Sequence, residues 1–535
     1  MARLSGSLKA SAYPPVANDG TDHRDAGSNG GVVQIGEFQS GGVVIIQRNY
    51  TPSALPKGTD ITELTSRVTA PLTMLLEESG LENDAAAALR IHLDWLQYKT
   101  CFRDPVMVRR AVDQHEQLLP LSEISIDLRQ VDPPSLTHHL TNAVSALRNG
   151  ASRDHGDSGA PFIVDSFKPW RDSVIWDFNR LFWRRLAEWE AYAHRGFEAA
   201  LPSGGSDANH PQAVADSVAD FWTLLRDLQS RDQLPQEVYA MEIGVGSGAR
   251  ARLWLDQFKA LDTECGSGYY SRLRFLLGDY SPATLDTALA AVGPHAGICS
   301  VIPIDATNPF KTLSFLRFKI MFIHLTNVYD NLSFDEIARR DGRLYLVEVR
   351  PYMARDAATS LATDFGLRVE QLPEIMKRLF DSGPEVVGDM DRGMAFWTRY
   401  WGALRLEERL RALDEGEDAH IPKGVSRSAL DDLLAESPGD VRFHLSRGAA
   451  ESFVNTAPLL HPRGYLQVQD IFVTAIKDYA KGFRGPGKLD GSFVTWVNGA
   501  FLRAVGARAG YDVHFSPFKY RKGSKTQILY TTPRD

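Results

Sequence analysis

The chain has 535 residues, 43% of them hydrophobic and 24% charged, close to the globular average. Its formal net charge is −8 and its sequence pI is near 6.0, so no basic surplus draws the molecule onto a polyanion and nucleic acid is not an expected partner. Cys101, Cys265 and Cys299 are too few and too scattered for a disulfide framework or a zinc-type cluster, so no metal is expected.

No apolar run reaches the ~18 residues that a membrane span needs, and no continuous apolar stretch comes after the basic residues of the N-terminus. The expectation is a cytoplasmic protein without a membrane partner. At roughly 100–200 residues per domain, the length predicts two or three domains.

Residues 1–45 read as a loosely ordered tail, rich in Ser, Gly, Asp and Pro at its start. Two β-rich fragments, 32–38 and 43–47, fit a hairpin. Residues 46–230 read as a helical cap region. Asn83 is placed to cap a helix over 84–100, and the clearest helix runs over 172–200. There Ile175, Phe178, Phe182, Leu186, Trp189 and Ala193 recur every three or four residues and make one apolar face. One more helix is predicted over 213–228.

Beyond residue 230 the texture changes. Short β-branched or aromatic runs at 238–243, 274–277, 301–304, 319–325, 344–349, 465–468, 512–515 and 527–530 alternate with helical stretches. Such alternation predicts an α/β fold, a doubly wound, mostly parallel, Rossmann-like sheet built from 231–352 and 460–535. Residues 353–459 read as a charged, helical insertion that caps the sheet together with the N-terminal region.

The most informative stretch is Met241-Glu242-Ile243-Gly244-Val245-Gly246-Ser247-Gly248-Ala249, a strand running into glycines and then into a helix. Glycines suit a sharp turn whose backbone a ligand must approach, because a Cβ would obstruct it. Two ligands compete. Gly244, Gly246 and Ala249 satisfy a dinucleotide fingerprint, in which helix amides receive a pyrophosphate. Glu242 suits instead a cationic, amine-bearing ligand, and S-adenosylmethionine is one.

Asp279, with Tyr280 next to it, ends the second strand candidate, where a carboxylate can accept ribose hydroxyls. Asp305 ends the third, where it could accept an adenine amino group while Ala306 offers a backbone amide. Taken singly, each Asp also suits a turn or cap.

These residues resemble motif I of class I S-adenosylmethionine-dependent methyltransferases, with Asp279 and Asp305 at that class's second- and third-strand acids. Within the class, Thr326-Asn327-Val328-Tyr329-Asp330-Asn331-Leu332 resembles the Asn-Glu-aromatic-Phe-Asp-Ala-Leu motif of the MidA-like branch, and Asp341-Gly342-Arg343-Leu344 resembles the next stretch of that branch's sequence. Residues 482–490 and 494–498 are similar to the branch's Gly-x-x-Asp-Leu-Thr-Ala-His-Val-Asp segment. Characterised members of the branch methylate protein arginine. Here the motif's Glu is Val328, its His is Trp496 and its last Asp is Asn498, so groups that could grip a guanidinium are partly missing.

The resemblance implies S-adenosyl-L-methionine as cofactor, with Glu242, Gly244, Gly246, Gly248, Asp279, Tyr280, Asp305, Ala306 and Asn327 around it. Methyl transfer is an in-line displacement that rewards positioning, and an amine or hydroxyl acceptor also needs a group to take its proton. Asp330 is the first choice for that group and Tyr329 the second, although Asp330 also suits a helix cap. The acceptor expected is an N or O atom of a small molecule or a protein side chain. An NAD(P)-dependent oxidoreductase and a catalytically silent binding protein of the same fold are the alternatives.

Overall fold

The computed structural model describes residues 32–35, 44–49, 60–79, 88–94, 101–129, 133–148, 160–201, 206–418, 420–437, 439–481 and 485–534. The expected tail before residue 32, most of the helix expected over 84–100, and residues 482–484 of the C-terminal resemblance lie outside them.

The sheet expected from the C-terminal half is present. Its strands, labelled in chain order, are β1 (Val238–Ile243), β2 (Leu273–Asp279), β3 (Cys299–Pro303), β4 (Ile320–Thr326), β5 (Leu460–Asp470), β6 (Tyr511–Pro517) and β7 (Gln527–Pro533). They lie in the order β3-β2-β1-β4-β5-β7-β6. The first five run parallel, and β7 pairs antiparallel with both β5 and β6. The order reverses between β1 and β4, which opens a crevice at the strands' carboxyl ends.

Both faces are covered, so the strands read as nearly continuous apolar runs. Val238 and Ala240 face a cluster with Phe221 of α1 (Pro211–Ser230) and Trp254 and Phe258 of α2 (Ala249–Cys265). Met241 and Ile243 alternate to the other face, against Phe453, Phe501 and Leu502.

The two regions expected to be helical do hold helices, Arg355–Asp364, Leu372–Ser382 and Met390–Ala403 among them, but they also hold strands that the expectation lacked. Residues 88–94, placed inside a predicted helix, hold the strand Leu89–Asp94, which joins a second sheet of eleven strands. The main path of that sheet ends in the order Leu89–Asp94, Leu118–Asp127, Val106–Val112, Arg405–Ala412, Arg343–Met353, Asp335–Arg340, Val441–Leu445. Two of these strands lie in the expected helical insertion, and Arg343–Met353, expected in the first sheet, belongs to this one. Val32–Ile35 and Val44–Asn49 pair antiparallel, as the hairpin reading expects, and extend its far edge. The helix expected over 172–200 is present in pieces, Ile175–Arg184 and Leu186–Ala193, broken at Arg185.

Charge hid these strands. Arg405-Leu-Glu-Glu-Arg-Leu-Arg-Ala reads as a solvated helix, yet its residues alternate between buried and half-buried. The second sheet curls far enough for Arg90, on Leu89–Asp94, to donate to Asp440 beside Val441–Leu445, at 2.6 Å. Inside lies a buried ionic layer. Glu408 takes Arg103 (2.7 Å), Arg442 (2.8 Å) and Arg109, while Glu123 takes Arg340 (2.6 Å) and Arg109 (3.3 Å). Burial opposes the ionisation of Glu408, but Arg103, Arg442 and Arg109 outweigh it and hold the carboxyl below its ordinary range.

Removing one partner from such a layer strands the others. Glu408→Ala is expected to cost about 3–5 kcal/mol in urea unfolding, and more than Glu407→Ala, because Glu407 has the single partner Arg350 and its own side chain is 17% exposed against 1% for Glu408. The contribution of Glu408 is fully present above the ordinary glutamate value of about 4.3 and is lost as pH falls below it. Wild-type stability is therefore expected to drop on acidification more steeply than that of Glu408→Ala.

Candidate functional site

The glycine loop leaves β1 and turns into α2. Gly244, Gly246 and Gly248 all have positive φ, at 75°, 53° and 77°. Each is glycine for a different local reason. A Cβ on Gly244 would lie 2.4 Å from Cγ2 of Val328, so the residue standing where the branch motif has Glu packs on the loop as an apolar lid. A Cβ on Gly248 would meet the backbone of Ala288 at 2.8 Å, where α2 crosses α3 (Pro282–Val292). A Cβ on Gly246 would meet nothing within 4 Å, so its backbone faces open space.

The amide of Gly246 donates to Oδ2 of Asp279 at 3.3 Å, and Oδ1 of Asp279 accepts the Ser281 amide at 3.1 Å. Burial raises the proton affinity of Asp279, and these backbone donors oppose it. Tyr280, beside it, is half exposed.

Glu242 differs from expectation. It is 3% exposed and forms a 3.1 Å ion pair with Arg250, on the first turn of α2. Burial pushes its carboxyl upward and Arg250 pulls it back. Glu242 is therefore not a bare anion facing a ligand. Behind the pair, His324 bridges Gln467 at 2.8 Å and Thr326 at 2.6 Å, and burial, then Arg250, drives its proton affinity well below the usual value.

Asp305 is exposed, and its Oδ1 accepts both the amide (2.8 Å) and the hydroxyl (2.7 Å) of Thr307, a turn role. Ala306 is half-buried against the apolar cluster. The amide of Ile304 donates to the Asp279 carbonyl at 2.9 Å and so ties the ends of the second and third strands together.

After β4 the chain turns through Asn327, at φ 52°. Its amide donates to the Gln469 carbonyl at 3.0 Å and its Nδ2 to Ser206 Oγ at 3.3 Å. Asn327 thus fixes the loop and fastens it to the segment entering α1. Tyr329, expected as an alternative proton acceptor, is 1% exposed and packs into the apolar cluster. Asp330 caps no helix. It lies in the short turn Tyr329–Asn331, 7% exposed, and its Oδ1 accepts Asn331 Nδ2 at 2.8 Å.

Sequence reading missed Asp470, the last residue of β5. It is fully buried, and its Oδ2 accepts the Asp330 amide at 3.2 Å. A carboxylate ending a fifth strand was visible in Gln467-Val468-Gln469-Asp470, two residues beyond the apolar run that marked the strand. Burial pushes Asp330 up to about 7. Burial, then the neighbouring Asp330 charge, pushes Asp470 upward too. Beside them the side-chain oxygens of Asn331 and Asn179 are buried without a hydrogen-bond partner. The remaining departures from the branch motif are structural: Asn498 caps Gly499–Arg508 through the Phe501 amide at 2.9 Å, and Trp496 is buried.

No described helix is long and apolar enough to cross a membrane, and no group among the described residues could hold a metal ion. No protein-family profile matches the chain, and no curated protein matches it. Among solved structures, the chain is similar to an uncharacterised protein from Burkholderia thailandensis, with 12% identity over 68% of this chain and 87% of the other and a TM-score of 0.41. A superfamily member from the same organism bound to S-adenosyl-homocysteine gives 13%, 68%, 88% and 0.40. Magnesium protoporphyrin IX methyltransferase from Synechocystis gives 10%, 61%, 84% and 0.26. At such values the likeness carries nothing about chemistry, which rests on the residues above.

The two glycines make separable predictions. Gly246→Ala is expected to cost about 1–2 kcal/mol, from its left-handed backbone alone. Gly248→Ala meets the α3 backbone as well and is expected to cost about 2–5 kcal/mol. Thermal unfolding of both variants checks the difference.

Proposed function

We propose that this protein is an S-adenosylmethionine-dependent methyltransferase acting on an N or O atom of a small molecule or a protein side chain. The observation that carries this reading is the Gly246–Asp279 bond. In a dinucleotide site the glycine-loop amides receive a diphosphate. Here one of those amides is already occupied by a carboxylate of the protein, and a second anion beside it would be repelled. A ligand without phosphate, bearing a sulfonium and an amine, meets no such penalty. The strand order supports the same choice, because the dinucleotide-binding order places the sixth strand directly beside the fifth, and here β7 stands between them, antiparallel.

In this reading Gly246 leaves the backbone open to the ligand. Asp279 receives the ribose hydroxyls on lone pairs that its two backbone donors do not use, Tyr280 flanks the adenine, and Asn327 holds the loop that borders the methyl. When bound, the cofactor supplies a methyl group on a positively charged sulfur. Asp330 orients the acceptor and takes its proton. The unpaired oxygens of Asn179 and Asn331 favour an acceptor that brings its own N–H or O–H donors.

Calorimetry tests the cofactor. S-adenosyl-homocysteine is expected to bind and NADPH not to, and Asp279→Ala is expected to weaken binding at least tenfold. Binding of NADPH alone would replace this reading with the oxidoreductase. Methyl turnover on an acceptor panel tests the chemistry. Asp330→Asn is expected to lose at least a hundredfold in rate with little change in cofactor affinity, and adenosyl binding without turnover on any acceptor would point to a silent binding protein.

A further inference from the structure

Asp330 and Asp470 meet where the loop after β4 crosses the end of β5, with 7% and 0% of their surfaces exposed. Neither forms an ion pair among the described residues, in contrast to Glu408, Glu123 and Glu242. The charged and titratable groups on the surrounding elements are spoken for. Arg250 is held by Glu242, Arg447 by Glu451 at 3.1 Å, and Arg171 by Asp335. His324 bridges two neutral partners, and Tyr329 is buried as a neutral phenol. Two buried carboxylates without a cation do not both ionise in the ordinary carboxylate range, so below about pH 7 the pair holds one proton between them.

The hydrogen bonds decide where that proton rests. Both oxygens of Asp470 accept backbone N–H groups, Oδ1 from Ile471 at 2.8 Å and Oδ2 from Asp330 at 3.2 Å. Backbone donors on both oxygens favour the ionised form. Asp330 has one side-chain amide, on Oδ1. We propose that Asp470 is the anchored anion of a one-proton pair and that Asp330 carries the proton, which makes Asp470 a positioning residue that governs when Asp330 becomes a base.

This rests on the methyltransferase reading for its consequence in turnover but not for the pairing itself. Once Asp330 has lost its proton, it can serve the acceptor. As the acceptor's lone pair forms the new bond to carbon, the carbon–sulfur electron pair stays on sulfur and the acceptor's proton passes to Asp330. A base whose proton affinity lies near the working pH suits this step; burial lifts Asp330 toward that range, and a fixed charge on Asp470 beside it adds to the lift.

The pairing is tested on the protein without cofactor, by infrared titration of wild type against Asp330→Asn. The expected result is a protonated buried carboxyl in wild type near pH 6 that disappears as pH rises through about 7 and is missing from Asp330→Asn. Persistence of that carboxyl in Asp330→Asn would put the proton on Asp470 and overturn the proposal. Two carboxyls ionising together near pH 4 would overturn it as well.

In turnover, Asp470→Asn is expected to move the rising limb of the pH profile at least about one unit lower while keeping the plateau within tenfold. An unmoved limb, or a plateau lost as in Asp330→Asn, would overturn it, and unfolding curves show whether the variant folds. Absence of adenosyl binding by calorimetry would sink the methyltransferase reading and leave the infrared result standing.

Discussion

One carboxylate against one amide decides what the glycine loop can receive. Asp279 joins the tip of β2 to the turn after β1, and in doing so it places a negative charge where a phosphate-binding loop would keep its donors free. The glycines around it divide the remaining work. Gly248 lets α2 lie against α3, Gly244 lets Val328 close over the loop, and Gly246 leaves the backbone bare. A site of this kind is shaped by packing on two sides and open on the third, so the open side is where a ligand has to enter.

The chain handles buried charge in two ways, and the contrast locates the chemistry. In the curled second sheet Glu408 and Glu123 are each held by more than one arginine. Those carboxyls are locked in their ionised form over the whole physiological range and cannot exchange protons usefully. Under the glycine loop, Glu242 is likewise committed to Arg250. At the ends of β4 and β5 the pattern stops, and two carboxyls are buried with amide and backbone donors but no cation. Such an arrangement costs stability, since neither burial nor like charge is repaid by a counter-ion. What sets these two apart is that they lie together, so the charge of one bears on the other, and proton transfer at neutral pH is a use for such a pair.

Legibility in the sequence tracked the solvent. The first sheet is buried on both faces, so its strands stood out as apolar runs, and Glu242, Asp279 and Asp330 could be named from their places at strand ends. The second sheet turns arginines and glutamates inward. Arg109, Glu123, Arg340, Glu408 and Arg442 therefore looked like a solvated surface, and alternation that a strand normally advertises was masked by charge on both faces. Pairing was equally hidden. Nothing near Glu242 in sequence announces that Arg250, one helical turn into α2, will neutralise it. Asp470 lies 140 positions from Asp330 in the chain, and only the parallel register of β4 and β5 brings them together.

The second sheet also explains why the carboxyl pair can be held so tightly. The turn that carries Asp330 runs directly into the strand Asp335–Arg340, whose first residue is gripped by Arg171. On the other side Asn179, from the helix Ile175–Arg184, donates to the Asn331 carbonyl at 3.1 Å. The loop after β4 is thus clamped at its far end by elements of the second sheet and its helices, while Asn327 and Asp470 fasten it to the first. In the methyltransferase proposed above, a loop bordering the methyl would otherwise be free to drift, and small errors of position are costly in a displacement that needs alignment. Through the residues after Asp330, the second sheet and its helices therefore fix the geometry of the group proposed to take the proton.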